Sequence, residues 1–211
     1  MGTAEFLDRK GGIPVGGVKR TLERIAGGAS FASILEDLCS TIDAQGSGLI
    51  SAVLLMDPDG KRLRPGPWGR MPPDWAKAIS PLLIGPGADS CGAAAFLKKQ
   101  VIVSDIASDP LWDGFRDVAL DNGLRAAWPQ PLISKDNEVL GTFCIYHAAP
   151  CRPAAADLEL MERAAHLALI AIEGERSRWG NCWREPRLGR NLEIQSIKAW
   201  VWLWKMWRPR A

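Results

Sequence analysis

Between residues 18 and 44 the apolar positions recur at helical spacing: Leu22, Ile25 and Ala26, then Ile34, Leu35, Leu38 and Ile42. That period predicts two amphipathic helices, with Gly27-Gly28 between them and Ser30 placed to cap the second. Residues 48–56 form an apolar run rich in branched side chains, closed by Asp57-Pro-Asp-Gly60. This predicts a strand, a turn and a return strand over residues 61–63. A short helix is expected over 72–80, behind its prolines. Val101-Ile-Val103 reads as a short buried strand. Asp109-Pro110 opens a helix running to about Asp121, because proline suits the first helical position. Residues 124–133 and 139–146 are strands around a polar hairpin turn at 134–137. From Ala154 onward, Leu158, Met161, Ala165, Ala168 and Ile172 mark one face of a long helix ending near Gly174. Adjacent strands joined by short turns must be antiparallel, so the predicted class is α+β.

The chain has 211 residues, 47% hydrophobic and 24% charged, enough for one domain with a sizeable core and some length to spare. Its net charge of +2 conceals an asymmetry. Residues 1–173 hold 17 Lys and Arg against 21 Asp and Glu, whereas residues 174–211 hold 9 against 3 and six of the ten tryptophans. An acidic body is therefore followed by a basic, Trp-rich tail. No run approaches the roughly 18–20 apolar residues that span a bilayer. The first ten residues lack the apolar segment of a secretory signal, so the expected location is cytoplasmic. Five scattered cysteines without a CxxC argue against a disulfide framework or a zinc knuckle, and two histidines exclude a three-histidine metal site. Gly12-Ile-Pro-Val-Gly-Gly17 invites comparison with a phosphate loop, but Val18 stands where the lysine belongs. The expected organisation is a flexible leader over 1–17, a domain over 18–174 and a poorly ordered or interfacial tail over 175–211.

Five ordered segments carry a family resemblance. Gly85-Pro-Gly-Ala-Asp-Ser-Cys-Gly-Ala-Ala-Ala95 resembles the central motif of GAF domains, and Val101-Ile-Val-Ser-Asp105 follows at the spacing of a GAF strand. Asp109-Pro-Leu-Trp112, Gly123-Leu-Arg-Ala-Ala-Trp128 and Val139-Leu-Gly-Thr-Phe143 are similar to later signatures of a bacterial subgroup. Its members sit beside PAS, histidine kinase, diguanylate cyclase or cyclic-di-GMP phosphodiesterase modules. The resemblance covers about residues 20–173. It implies a six-stranded antiparallel sheet, with terminal helices on one face and a small-molecule pocket of loops and short helices on the other. The chain departs from the subgroup at Trp128-Pro-Gln-Pro131, where Trp-Ser-x-Pro is usual, and at Ala127, where a cysteine is common. Pro129 removes a backbone donor, which points to a sheet edge or a bulge.

The candidate ligand-binding residues are Ser90, Cys91, Asp105, Trp112, Arg125 and Trp128. Trp112, Trp128 and Arg125 together would suit a planar or anionic ligand, by stacking and bidentate hydrogen bonding. The bland alternative makes Trp112 a helix anchor and pairs Arg125 with Asp105 or Asp109. Cys91 at a helix start could be an activated thiol; otherwise Ser90 caps the helix and Cys91 is a small packed residue. His147 and His166 read as structural. The absence of a Cys-His pair argues against a bilin, no cofactor is assigned, and no catalytic residue is named.

The expectation is a sensory module rather than an enzyme: ligand-biased packing of the terminal helices, passed to a signalling output protein, with a homodimer formed through those helices. One alternative is a free methionine sulfoxide reductase using Cys91. Another is a membrane-surface protein attached through residues 197–211, where Trp200, Trp202, Trp204 and Trp207 alternate with basic residues. Spacings of two set the first three tryptophans about 200° apart on a helix, so they do not form one amphipathic face. A remnant of a reading-frame change is an equal account of this tail. Nucleic acid is not an expected partner.

Overall fold

The computed structural model describes residues 15–46 and 48–182. Contacts divide the chain into a compact unit reaching Glu175 and a second unit over 176–211. The tail residues singled out as a membrane-binding segment, 197–211, lie outside the described residues.

Two helices open the described chain, α1 (Val15–Ala26) and α2 (Phe31–Asp43). Ser30 caps α2 as its sequence position predicts, accepting from the Ser33 amide at 3.2 Å. The predicted leader is too long by three residues, because helix begins at Val15. Gly16 and Gly17 fall in the first turn, where glycine costs less than in a helix interior. Strands β1 (Leu49–Met56) and β2 (Arg62–Trp68) pair antiparallel. The return strand thus runs well past residue 63. Pro65 stands opposite Leu54, beside a register shift between Ala52 and Leu54 that lets the strand continue. Then come α3 (Pro73–Ala78), the two-residue β3 (Leu82–Leu83) and α4 (Ser90–Leu97).

The helix predicted over 109–121 is two pieces, a 3-10 turn at Pro110–Trp112 and α5 (Arg116–Asp121), broken around Gly114. Asp109 caps the first piece, accepting from the Leu111 amide at 2.9 Å. Strands β4 (Ala126–Ile133) and β5 (Val139–His147) form the predicted hairpin, and Asn137 supplies its left-handed residue at φ 62°. Helix α6 spans Ala155–Cys182 and so passes through Gly174. A single interior glycine costs only about 1 kcal/mol, too little to end a helix of this length. Residues 175–182, placed from sequence in the poorly ordered or interfacial tail, continue the helix.

The sheet has strand order β3-β2-β1-β5-β4, antiparallel throughout. It has five strands where the resemblance implies six, and β4 shows why. The Val101 amide donates to the Pro129 carbonyl at 3.2 Å. The Val103 amide donates to Ala127, and the Ala127 amide returns to Val103 at 3.0 Å. Pro129 has no N–H to return, so the segment beside β4 is an isolated bridge instead of a strand.

Alternation along the strands sorts the core into two layers. Leu49, Val53, Trp128, Leu132, Phe143 and Ile145 pack against α2 and α6. Ala52, Leu54, Ala127, Cys144 and Tyr146 face the side covered by α3, α4 and α5. The first layer contains one polar knot. Asp43, buried at the end of α2, accepts from the Ser51 amide at 2.6 Å, and Ser51 Oγ lies 2.7 Å from the same carboxylate oxygen. Burial raises the Asp43 pKa and the Ser51 hydroxyl opposes that rise. Ser51→Ala is therefore expected to cost about 1–2 kcal/mol. The check is a lower urea midpoint at unchanged denaturant slope.

Candidate ligand-binding face

Helix α4 begins at the end of the glycine-rich segment, and its cap is Asp89, one residue before the predicted Ser90. The Asp89 carboxylate accepts from the Gly92 amide at 2.8 Å, which leaves Ser90 as the first helical residue with a buried hydroxyl lacking a hydrogen-bond partner. Gly92 is required here. A Cβ on it would lie 2.5 Å from the Leu83 carbonyl oxygen, so α4 can lie against β3 only with glycine at this position. Asp89 is completely buried, and desolvation pushes its pKa up to about 6 despite the amides of Gly92 and Cys91.

Cys91 points into the layer on this side of the sheet. Its sulfur lies 3.6 Å from the Tyr146 hydroxyl and within hydrogen-bonding reach of the Cys144 thiol. Burial, then the neighbouring Cys144, drives the Cys91 pKa well above the ordinary thiol value. Of the two readings of Cys91, the packed residue fits this geometry better than the activated thiol, because burial opposes the helix dipole and favours the protonated form. Tyr146 is raised for the same reason, burial first.

Above Tyr146 lies an aromatic group. The Trp75 ring meets Tyr146 edge-on at 6.1 Å and Phe115 edge-on at 6.3 Å, and it stacks on Trp112 at 5.5 Å with 22° between planes. Trp75 and Trp112 are fully buried, yet neither indole N–H has a hydrogen-bond partner. Native proteins rarely leave such donors unpaired. The strands contribute small side chains to this layer, Ala52 and Cys144 opposite each other and Ala127 opposite Tyr146 itself.

The six sequence candidates are not one site. Cys91 and Trp112 belong to this layer. Trp128 does not. Ala127 takes the inward position of β4, so its neighbour Trp128 faces the helices and sits 3.9 Å, centroid to centroid, from the His147 ring. Asp105 and Arg125 form a partly exposed ion pair, the Arg125 Nη2 lying 3.1 Å from one carboxylate oxygen. The Ala107 amide, and after it the Arg125 guanidinium, hold the Asp105 carboxyl below its usual range. Trp75, Phe115, Tyr146 and Asp89 were missed from sequence. Trp75 and Ile79, the residue that ends the short helix α3, are four residues apart, and Cys144 and Tyr146 are two apart on a strand. Those spacings were the available signals. Among the described residues, no group of three or more His, Cys, Asp or Glu is placed to hold a metal ion. None of their helices is long and apolar enough to cross a membrane.

A profile of the GAF domain family matches residues 28–173, which include all five strands, the helix-side core and the aromatic layer. The chain belongs to the GAF domain family. Over 154 residues it is 38% identical to the methyl sulfide methyltransferase-associated sensor of Methanosarcina acetivorans, an alignment covering 73% of this chain and 15% of that protein. The chain thus matches only a small part of that relative's length. Among solved structures, it is similar to the GAF domain of a phosphoenolpyruvate-protein phosphotransferase from Coxiella burnetii. There the TM-score is 0.63 and the identity 12%, covering 79% of this chain and 96% of that one. A free methionine-R-sulfoxide reductase from Neisseria meningitidis, solved with its substrate, aligns at TM-score 0.59 and 18% identity over 76% of this chain and 89% of its own. These two likenesses concern the fold alone.

Proposed function

We propose that this GAF domain is a small-molecule sensor of the bacterial signalling type, whose ligand lies between the sheet and the elements α3, α4, the 3-10 turn and α5. The observation that carries this reading is the 38% identity, across the domain, to a protein described as a sensor. The two-layer core supports the location. One side of the sheet is committed to α2 and α6, and the other holds the buried aromatic group with its unpaired donors. Cys91, Trp112 and Ser90 remain proposed ligand neighbours, joined by Trp75, Phe115 and Tyr146. Asp105 and Arg125 form the rim. Trp128 instead couples β4 to the helix layer, so it becomes a residue of signal transfer.

Binding would shift the balance between two packings of the sheet against α2 and α6. The readout would then be sensed by a partner docking on the helix side. There Val18 and Leu22 of α1 and Arg163 of α6 line a shallow open groove, a seat for a second copy of the chain. Thiol chemistry fits the site less well than binding does, since Cys91 is buried and its pKa is raised.

A thermal-shift screen of the full chain with neutral, anionic and cationic small molecules tests this reading. Hydrogen exchange on each hit supplies the location. The expected result is a hit that raises the midpoint, slows exchange in α3 and α4, and alters exchange in α2 and α6. A broad screen without a hit overturns the proposal, as does a hit protecting only α1 and α6. Turnover of free methionine sulfoxide with a thiol reductant, lost in Cys91→Ser, would replace it by the reductase reading.

A further inference from the structure

We infer that the ligand of this face is an uncharged, planar molecule carrying a hydrogen-bond acceptor, seated against the Trp75 and Trp112 rings with its acceptor on an indole N–H. The inference rests on the sensor reading and narrows it to a chemical class.

Three observations lead there. The first is the pair of orphaned donors. An N–H buried without an acceptor costs about 1–3 kcal/mol, and here two such groups sit on stacked rings. An incoming carbonyl, ether or N-oxide oxygen would recover part of that cost, so the pocket favours acceptors over equally apolar molecules without one.

The second is charge. Among the described residues, the buried charged side chain at the base of this layer is Asp89, and no lysine or arginine is buried anywhere. The nearby guanidinium of Arg125 is already engaged by Asp105 at the partly exposed rim. An anion entering here would be desolvated beside a carboxylate with no buried cation to meet it, which burial makes costly. Phosphate-bearing ligands such as cyclic nucleotides are disfavoured on this ground, whereas an uncharged ligand avoids the penalty.

The third is shape. The roof comes from three short elements. Trp75 lies on the six-residue α3, Trp112 on a three-residue 3-10 turn, and Phe115 is the residue that precedes the six-residue α5. The sheet floor of the layer includes small side chains, Ala52, Ala127 and Cys144, beside the larger Leu54 and Tyr146. Separate short elements can part over such a floor more readily than a continuous helix can. Both indole rings are fully buried and stacked at 5.5 Å, so a ligand reaches them only where these short elements part, and a flat ring system then gains an offset contact with an indole face.

The test follows the two indole N–H resonances by NMR in the intact, 15N-labelled chain, assigned with Trp75→Phe and Trp112→Phe. The titrants are three neutral acceptor-bearing bicycles (coumarin, 4-quinolone and 1-indanone), naphthalene as the acceptor-free isostere, and cyclic GMP as the anion. At least one acceptor-bearing probe is expected to move one or both resonances downfield. Naphthalene should bind about tenfold or more weakly than that probe, the worth of one hydrogen bond. Cyclic GMP should leave both signals in place. If none of the three neutral probes moves either resonance, or naphthalene binds equally well, the inference is wrong. Cyclic GMP binding at these resonances would overturn the ligand class while leaving the sensor reading standing. The titration uses the unmodified protein, so a poorly folding variant affects only the assignment; among the ten indole signals the other variant still assigns its own, and that resonance carries the test.

Discussion

Trp75→Ala is expected to destabilise the domain by about 3–5 kcal/mol, the range for emptying a fully buried large aromatic site. Trp75 is the hub of its layer, touching Trp112, Phe115 and Tyr146 with its ring. Its removal leaves a cavity in a layer whose other members include small side chains, Ala52 and Ala127 among them. The neighbouring rings cannot collapse far, because each is held on a different element. One term works the other way. The indole N–H is unpaired, so its deletion relieves a buried donor. Trp75→Phe separates the two effects, since it keeps an aromatic ring and discards the N–H. It should cost less than half as much as Trp75→Ala. Urea unfolding at constant slope checks both numbers. An alanine variant within about 1 kcal/mol of the parent would mean that the roof of this layer contributes little to stability.

Most of the fold was legible because its elements obey simple periods. The 3.6-residue spacing of Ile34, Leu35, Leu38 and Ile42 and the cap at Ser30 located α2 to within a residue. The apolar residues following the polar turn at 134–137 located β5 to within a residue, and the structure buries both of its faces. What failed was local chemistry competing with pattern. Val101-Ile-Val103 has strand composition, but a ladder needs donors from both sides, and Pro129 withholds one. Gly114 broke a helix that Asp109-Pro110 had announced, while Gly174, deep in a longer helix, broke nothing. The candidate site was harder to read for a different reason. It depends on which residues from distant segments share a layer, and linear spacing gives that only along one strand or helix. Trp128 looked equivalent to Trp112 as an aromatic near a motif, yet the parity of β4 sends it to the opposite face. Trp75 stands among prolines, with too short a helical period to announce a buried face. The helix-start reading of Cys91 draws on a dipole worth about 0.3–1 kcal/mol, and the burial of the packed alternative opposes it.

The same contest between burial and local donors makes Asp89 the source of the second large effect. Its carboxyl is pushed up to about 6 in the folded protein, from an ordinary value of 3.8, chiefly by desolvation. Between those two values the native state holds a proton that the unfolded state has released. Stability contributed by this group is therefore fully present below pH 3.8 and is lost as pH rises through 6. Cys91 and Tyr146, which face the carboxyl, keep their protons throughout this range because burial raises both. They add no slope of their own. An asparagine side chain can still accept the Gly92 amide through its carbonyl oxygen, so Asp89→Asn keeps the cap and removes the charge. The variant should be more stable than the parent at pH 7 by about 3 kcal/mol, the worth of a shift of this size. Such a difference corresponds to roughly 6–12 °C in Tm. The gap should shrink as pH falls from about 7 to about 4 and vanish near pH 3.8. Comparing the two proteins at each pH cancels the titration of every other carboxylate, so the difference curve reports Asp89 alone. A flat difference curve would show that the carboxyl is solvated in solution, and the electrostatic part of the argument for an uncharged ligand would fall with it. The argument from the unpaired indole donors would remain, because it depends on Trp75 and Trp112 and not on charge.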